Sequence, residues 1–166
     1  MPRRATSVTI EGVTTPPLDQ QLADHAAIRE LVDAWAHCAD RRLARRQAEL
    51  FTSDGTVVVY AGDPTSSEPA QRVTGHDELA AAFRVLDGYD VTSHVNGQST
   101  VILDGDRASG ESYCLAHHVW VEDGQRMLMV MSIRYLDSWV RTPDGWRFAE
   151  RTLVTDWVDK RSSQPG

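Results

Sequence analysis

The sequence predicts an α+β fold in which N-terminal helices pack on one face of a curved, mainly antiparallel sheet. Three observations lead to this fold class. Apolar residues with helical spacing are confined to the first half of the chain, four long β-type segments occupy the second half, and hairpin-type turns separate those segments. Because one face of such a sheet must be covered, we expect the helices to cover it.

The first helix is predicted from Asp24 onward, because apolar residues there recur on one helical face. They are Ile28, Leu31, Val32, Trp35 and Ala39. A shorter second helix is expected over residues 43–51, and a third over residues 74–86.

The first strand is predicted at residues 56–60, where a β-branched run follows a Ser-Asp-Gly turn. Residues 61–72 are rich in turn formers and are expected to form a loop. Four further strands are expected at about 91–103, 107–121, 126–141 and 146–157. The turn sequences between them predict an antiparallel meander.

The size and charge of the chain restrict its organisation and its partners. Its 166 residues suit one domain, expected over residues 19–160 between a flexible arm (1–18) and a flexible tail (161–166). No apolar run approaches the ~20 residues that span a bilayer, so we expect no membrane partner. The net charge of −7 disfavours nucleic acid. Without a signal-peptide pattern, the expected location is cytoplasmic.

The sequence contains no pattern that calls for a metal or a cofactor. Cys38 and Cys114 lie far apart, lack zinc-ligand spacing and are expected to be reduced core thiols. Phosphate-binding loops, dinucleotide-binding glycine patterns, zinc-protease motifs and nucleophile elbows are all absent from the sequence. We therefore expect neither a cofactor nor a metal.

Strand alternation places mostly small side chains on one face of residues 107–121. The face comprises Ala108, Gly110, Ser112, Cys114, Ala116, His118 and Trp120. Small side chains leave volume that either a ligand cavity or a closely packed helix would occupy. The sequence favours the cavity and leaves the helix as an alternative.

Two neighbouring strands also present regular rows of side chains. One row is polar, and either lines a wet pocket or meets solvent: His94, Asn96, Gln98 and Thr100. The other is rich in methionine, for which an adaptable core is the favoured role over a binding surface: Met127, Met129, Met131, Ile133 and Tyr135.

Asp40, His94 and His118 have side chains suited to proton transfer. Histidine titrates near neutral pH, and a carboxylate bonded to one ring nitrogen makes the other nitrogen a better base. With six histidines and 24 acidic residues in the chain, such pairs also arise by chance. On a straight helix, Asp40 lies on the flank of the apolar stripe, about 120° from Ile28.

Four segments resemble SnoaL-like domains of the nuclear-transport-factor-2 superfamily. They are residues 28–60 (IRELVDAWAHCADRRLARRQAELFTSDGTVVVY), 73–83 (VTGHDELAAAF), 91–124 (VTSHVNGQSTVILDGDRASGESYCLAHHVWVEDG) and 144–157 (DGWRFAERTLVTDW). The resemblance spans about residues 22–158. It implies a cone-shaped α+β barrel that encloses a pocket and binds a small molecule, and a homodimer or higher homo-oligomer.

The functional relatives that the chain resembles are scytalone dehydratase and hexachlorocyclohexane dehydrochlorinase, cofactor-free lyases with an Asp-His dyad. The resemblance implies that Asp40 and His94 form the dyad. It also matches the dehydratase's second histidine to His118 rather than His117, and a pocket tyrosine to Tyr60.

The sequence differs from the dehydratase at one position of the predicted site, and four further residues are expected to line the pocket. Ala39 occupies the position at which the dehydratase has a tyrosine, so the resemblance does not imply the same substrate. Pocket-lining residues are expected to be Trp35, Asn96, Ala116 and Trp120.

The sequence thus predicts a cofactor-independent dehydratase, lyase or isomerase acting on a small, cyclic, hydrophobic compound. A polyketide cyclase is the alternative within the enzyme class. A non-catalytic ligand-binding or dimerisation domain is the alternative outside it, because the fold alone does not determine function.

Overall fold

The computed structural model describes residues 17–164, which begin with helices and continue as a sheet. The helices are α1 (Leu18–Asp40), α2 (Ala44–Ala48) and α3 (His76–Phe83), followed by a 3₁₀ helix (Arg84–Gly88). The strands are β1 (Phe51–Tyr60), β2 (Gln71–Thr74), β3 (Val91–Asp104), β4 (Arg107–Glu122), β5 (Gln125–Thr142) and β6 (Gly145–Ser162). No helix in this part of the chain combines the length and apolar character needed to cross a bilayer.

The six strands form one open sheet in the order β2-β1-β6-β5-β4-β3. All neighbours are antiparallel except β1 and β6, which are parallel. The helices cover the inner face, which confirms the predicted α+β class and the meander of the last four strands. The parallel pair brings β1, formed early in the chain, beside the end of the meander.

Helix α1 is longer than predicted, and the domain extends past its predicted end. The helix begins at Leu18, and its first turns are exposed, including Leu18 and Leu22, so the buried apolar stripe that starts later could not mark them. Strand β6 runs to Ser162, pairing with Met127 on β5, so residues 161 and 162 belong to the sheet and not to a tail. The predicted arm, except for residues 17 and 18, and residues 165 and 166 lie outside the described part of the chain.

The segment between β1 and β3 differs most from the prediction. Strand β1 starts five residues early, and Phe51 pairs with Phe148 before a register shift. The expected loop at 61–72 contains the start of β2, a four-residue edge strand too short to show alternation. The third helix spans only His76–Phe83, because Gly75 has a φ of +86° that no helix accepts and the chain after Phe83 tightens into the 3₁₀ helix.

Aromatic rings fill the space between α1 and the sheet. Trp35 packs edge-on against Phe83, Tyr135 and Phe148, with ring centroids 4.9, 6.3 and 6.3 Å away. Such pairs contribute about 0.5–1.5 kcal/mol each beyond the area that they bury. The cluster anchors α1 on β5 and β6 and leaves Trp35 at the border between core and cavity.

A fully buried ion pair lies within this aromatic cluster. Arg151 Nε and Nη2 donate to Asp137 Oδ1 and Oδ2 at 2.8 and 2.7 Å, and both side chains are 0% exposed. The guanidinium carbon also lies 4.1 Å from the centroid of the Tyr135 ring and 4.3 Å from that of Phe148. Buried charges are tolerated only as complete pairs, so each partner depends on the other.

Asp24 fixes the N-terminal half of α1 to the β5–β6 hairpin. Its carboxylate accepts two bonds of 2.7 Å from Arg141 and one of 3.0 Å from Trp146 Nε1. Chiefly through the Arg141 bonds, and despite burial, the pKa of Asp24 falls to about 2. The helix is thus held to the sheet at both ends, here and at Asp40.

We predict that Arg151→Met destabilises the protein by about 3–5 kcal/mol, because it leaves the Asp137 carboxylate buried without a partner. The measurement is the free energy of unfolding in urea. Arg134→Met is the matched control: Arg134 forms a comparable fork with Asp156 on the partly exposed face, and its loss should cost at most about 1 kcal/mol. Equal losses in the two variants would contradict the prediction.

Candidate active site

A cavity of about 240 Å³ lies between the inner face of the sheet and the helices. Most of its wall is apolar: Trp35, Ala39, Val57, Val59, Val73, Ala82, Phe83, Val85, Leu86, Met129, Met131, Ile133 and Leu153. The polar side chains that reach it are Gln47, Gln71, Tyr89, His94, His118 and Tyr135. The cavity is therefore an apolar chamber with a few polar groups, the usual character of a small-molecule site.

The methionine row of β5 contributes more to this wall than the small-residue row of β4. Met129 and Met131 line the cavity, so the favoured interpretation of a purely adaptable core was wrong for them. From the small-residue face, His118 lines the cavity, whereas Cys114 and Ala116 are buried against β5 residues. Small side chains on β4 let the larger β5 side chains spread over the floor of the chamber.

Asp40 contacts His94, whose side chain lines the cavity, while Asp40 itself lines a neighbouring surface depression. Asp40 Oδ1 lies 2.7 Å from His94 Nδ1, and Asp40 Oδ2 accepts the backbone N–H of His94 at 3.0 Å. The His94 side chain is 7% exposed and that of Asp40 is 25% exposed. Because a carboxylate only accepts hydrogen bonds, His94 carries its proton on Nδ1 and leaves Nε2 as a free acceptor.

The position of Asp40 follows from the place where α1 ends. Asp40 is the last residue of the helix, and the flank on which it lies faces the start of β3. A side chain on the flank of the apolar stripe therefore contacts a strand instead of solvent. The wheel of an isolated helix could not indicate this contact, because it depends on how α1 crosses the sheet.

His118 lies beside the dyad and has no hydrogen-bonding partner among residues 17–164. The side chain is buried, its Nδ1 is unsatisfied, and its ring is 5.6 Å from that of His94 and 4.7 Å from that of Tyr89. Burial first, and then the nearby His94 and Arg42, lower the pKa of His118 to about 4. His117 projects from the other face, where its Nδ1 lies 3.3 Å from the Ser93 carbonyl oxygen.

A β-bulge divides the polar row that was predicted on β3. The pairing with β4 shifts between Asn96 and Ser99, so Gln98 and Thr100 leave the face of His94, and Val101 packs on the core in their place. The amide of Asn96 donates to the Val32 carbonyl oxygen at 3.3 Å. Asn96 thus joins β3 to α1 and is not part of the cavity wall.

Of the other predicted site residues, Trp35 alone lines the cavity. Ala116 is completely buried beneath the cavity. Trp120 lies in a separate surface depression, 4.9 Å from the Lys160 ammonium. Tyr60 alternates with Val59, which lines the cavity, and its side chain lies on the opposite face of β1.

Tyr89 and Gln47 also line the cavity, and neither was among the predicted site residues. Tyr89 lies between the 3₁₀ helix and β3, where no periodicity applies, and its ring packs on both His118 and Trp120. Gln47 lies on the inner side of α2 and donates to the Trp35 carbonyl oxygen at 3.4 Å. In residues 17–164, no group of three or more His, Cys, Asp or Glu side chains is arranged to hold a metal ion.

Comparison with known proteins yields a family and a set of structural neighbours. The SnoaL-like domain family matches residues 20–152. An uncharacterised protein of Mycobacterium tuberculosis is 40% identical over 132 residues, which span 79% of this chain and 84% of that protein.

The structural neighbours include two proteins named after eliminations. A scytalone dehydratase-like protein of Novosphingobium aromaticivorans has 22% identity and a TM-score of 0.71, with 89% of this chain and 95% of that chain covered. A hexachlorocyclohexane dehydrochlorinase has 19% identity and a TM-score of 0.72, with 88% of this chain and 97% of that chain covered. At these identities the likeness shows the fold, and it confirms the predicted architecture.

We predict that His118 makes stability depend on pH. The unfolded chain protonates His118 near pH 6.5, whereas the folded chain keeps it neutral down to about pH 4, so stability falls as the pH decreases between these values. His118→Gln should give a shallower dependence of the urea-unfolding free energy between pH 4.5 and 7. His117→Gln, on the exposed face of the same strand, should keep the wild-type slope. An unchanged slope in His118→Gln would refute the shift.

Proposed function

The chain belongs to the SnoaL-like domain family, and on this premise we propose that it is a cofactor-independent acid–base enzyme of lyase or isomerase type. Its substrate is a small, cyclic, apolar compound. The observation that carries the proposal is the 2.7 Å contact between Asp40 and His94 at the wall of an apolar cavity.

In the proposed reaction, His94 Nε2 removes a proton from a carbon of the substrate. The Asp40 carboxylate stabilises the imidazolium that forms, because it accepts the hydrogen bond of Nδ1–H. In an elimination, the C–H electron pair becomes the second bond of an alkene and the leaving group departs with its own pair. His94 then returns the proton to a departing hydroxide, to another carbon in an isomerisation, or to solvent.

His118 complements the dyad as a neutral hydrogen-bonding group. With a pKa of about 4, it is uncharged at neutral pH and donates one N–H to a substrate oxygen that gains negative charge. Since the ring has no partner among the described residues, this bond replaces no protein contact. His118, matched to the dehydratase's second histidine, lines the cavity, whereas the position of Tyr60 outside the cavity wall does not support a role in the site.

The cavity wall defines the substrate class. None of the residues that line it in the described part of the chain is Lys or Arg, so a carboxylate or phosphate would be buried without a counter-ion. Its volume of about 240 Å³ lies below the roughly 300–1,000 Å³ of typical pockets for drug-sized ligands. A polyketide cyclase would require a roomier pocket, so the small volume favours the lyase or isomerase.

The names of two structural neighbours support this reaction class. The scytalone dehydratase-like protein and the hexachlorocyclohexane dehydrochlorinase both carry names that denote elimination from a small cyclic compound. We propose the class of reaction for this chain and not either substrate, since Ala39 replaces the tyrosine expected before the dyad aspartate.

The proposal is tested with the purified protein in D₂O. Scytalone, γ-hexachlorocyclohexane and 2-tetralone serve as probes for dehydration, dehydrochlorination and proton abstraction beside a carbonyl. Elimination products and deuterium incorporation are followed by NMR. Bound probe recovered unchanged and unlabelled would favour a non-catalytic ligand-binding domain.

We predict that His94→Ala lowers the rate on a responsive probe by about 10²–10⁴-fold, because the base is lost. Asp40→Asn should have a similar effect, since an amide fixes the wrong tautomer of His94. His117→Ala removes a histidine from the outer face of the adjacent strand and should retain wild-type turnover. Turnover of His94→Ala within a few-fold of wild type would remove the base role.

We further propose that the chain forms a homodimer through the outer face of the sheet. Val95, Leu115, Ser132 and Trp157 are successive neighbours across β3, β4, β5 and β6. Val95, Leu115 and Trp157 are 55, 41 and 50% exposed, so the row leaves an apolar stripe in water. The single-domain organisation and cytoplasmic location stay predictions.

We predict that Leu115→Glu shifts the protein to a monomer in sedimentation velocity, because it introduces a charge in the middle of the stripe. Leu22→Glu adds the same charge to an exposed position on α1 and should leave the association state unchanged. A wild-type monomer at high concentration would contradict the dimer.

A further inference from the structure

Arg42 connects three segments of the chain through one guanidinium. Its Nη1 donates to the Ala39 carbonyl oxygen at 2.9 Å and to Thr92 Oγ1 at 2.6 Å, and its Nη2 donates to the Tyr89 carbonyl oxygen at 3.1 Å. The acceptors belong to the end of α1, the start of β3 and the segment between the 3₁₀ helix and β3.

Each of these acceptors adjoins a polar residue of the candidate active site. Ala39 directly precedes Asp40, and Thr92 lies two residues before His94 on the same strand face. The Tyr89 ring packs 4.7 Å from the His118 ring. The Arg42 side chain therefore links the backbone segments that carry the dyad to the segment that carries Tyr89, which packs on His118.

We infer that Arg42 is a positioning residue that sets the separation between the Asp40–His94 dyad and His118. The inference deepens the proposed function and rests on it for its effect on turnover. An arginine suits this task because its planar fork of donors reaches several acceptors in fixed directions, whereas a lysine presents a single ammonium on a flexible stem.

The backbone of Arg42 closes helix α1. Arg42 has a φ of +58°, the left-handed conformation that commonly follows the end of a helix. Its N–H donates to the Ala39 carbonyl oxygen at 3.3 Å, and the N–H of Leu43 donates to the Cys38 carbonyl oxygen at 2.9 Å. These two bonds form a Schellman motif, which fixes the point from which the Arg42 side chain leaves the backbone, two residues after Asp40.

Arg42 also places a permanent positive charge close enough to His118 to act on its ring, although the Arg42 side chain does not line the cavity. The charged and titratable groups that act on His118 are His94 on β3, Arg42 and Asp40 at the end of α1, and His117 on β4. Of these, Asp40 favours the protonated ring, and the other three oppose protonation. Loss of Arg42 should therefore change both the geometry and the titration of His118.

The test compares Arg42→Met, which removes the charge and the fork, with Arg42→Lys, which retains the charge. Arg29→Met is the matched control, because Arg29 also joins α1 to β3, through bonds of 3.1 Å to the Gly97 carbonyl oxygen and 3.4 Å to Ser99 Oγ. The free protein is titrated by NMR of the imidazole resonances, with contacts between the His94 and His118 rings recorded. Turnover is measured on a responsive probe from the panel above.

We expect Arg42→Met to titrate His118 at a higher pH, to weaken the contacts between the two rings, and to lower kcat by on the order of 10²-fold with a smaller change in KM. Arg42→Lys should titrate near wild type and still lose turnover. Arg29→Met should match wild type in all three measurements. If Arg42→Met does not fold, Thr92→Val removes one acceptor and should weaken the ring contacts by itself.

The inference is overturned if Arg42→Met, or Thr92→Val in its place, keeps the wild-type ring contacts, or if Arg29→Met produces the same changes. The titration and the ring contacts decide it in the free protein. If the wild type converts none of the probes, only the proposed function fails.

Discussion

The arrangement of this protein depends on a carboxylate that joins the end of a helix to the start of a strand. Asp40 accepts both the backbone N–H and the ring Nδ1–H of His94, so the same group fixes the position of the strand and the tautomer of the side chain. A helix shifted along the sheet would lose both bonds together. Packing and chemistry are therefore coupled at one residue, and Asp24 holds the N-terminal half of the same helix to the sheet.

On the inner face of the sheet, the charged groups that stabilise the core lie apart from the histidines that line the cavity. Arg151 and Asp137 neutralise each other inside the aromatic core and line no part of the cavity wall. His94 and His118 lie where the core opens, and their rings meet at nearly a right angle. The deep charges are bonded to each other, whereas His118 has no hydrogen-bonding partner among residues 17–164 and is available to bond a ligand.

Much of the fold could be predicted from the sequence because long periodic segments determine it. The meander strands follow from simple alternation. Alternation places His117 and His118 on opposite faces of β4, but it does not say which face lines the cavity, and the structure shows that His118 does. The short edge strand β2 and the bulge of β3 could not be predicted, since four residues show no period and a bulge changes the face of every residue after it. The contact of Asp40 with His94 required the resemblance to a family. Residues such as Tyr89 and Arg42 follow no pattern and acquire their contacts only through the tertiary fold.

The unpartnered imidazole of His118 has a consequence for molecular discrimination. Its buried Nδ1 has no hydrogen-bonding partner among residues 17–164, so a bound molecule that offers this atom no partner leaves it unsatisfied. A compound with an oxygen at the right position and its plain hydrocarbon analogue would fill the same volume with similar dispersion contacts. The cavity therefore discriminates between the two compounds through the free-energy cost of an unsatisfied polar group as much as through the bond to the correct ligand. A mostly apolar cavity can be selective in this way.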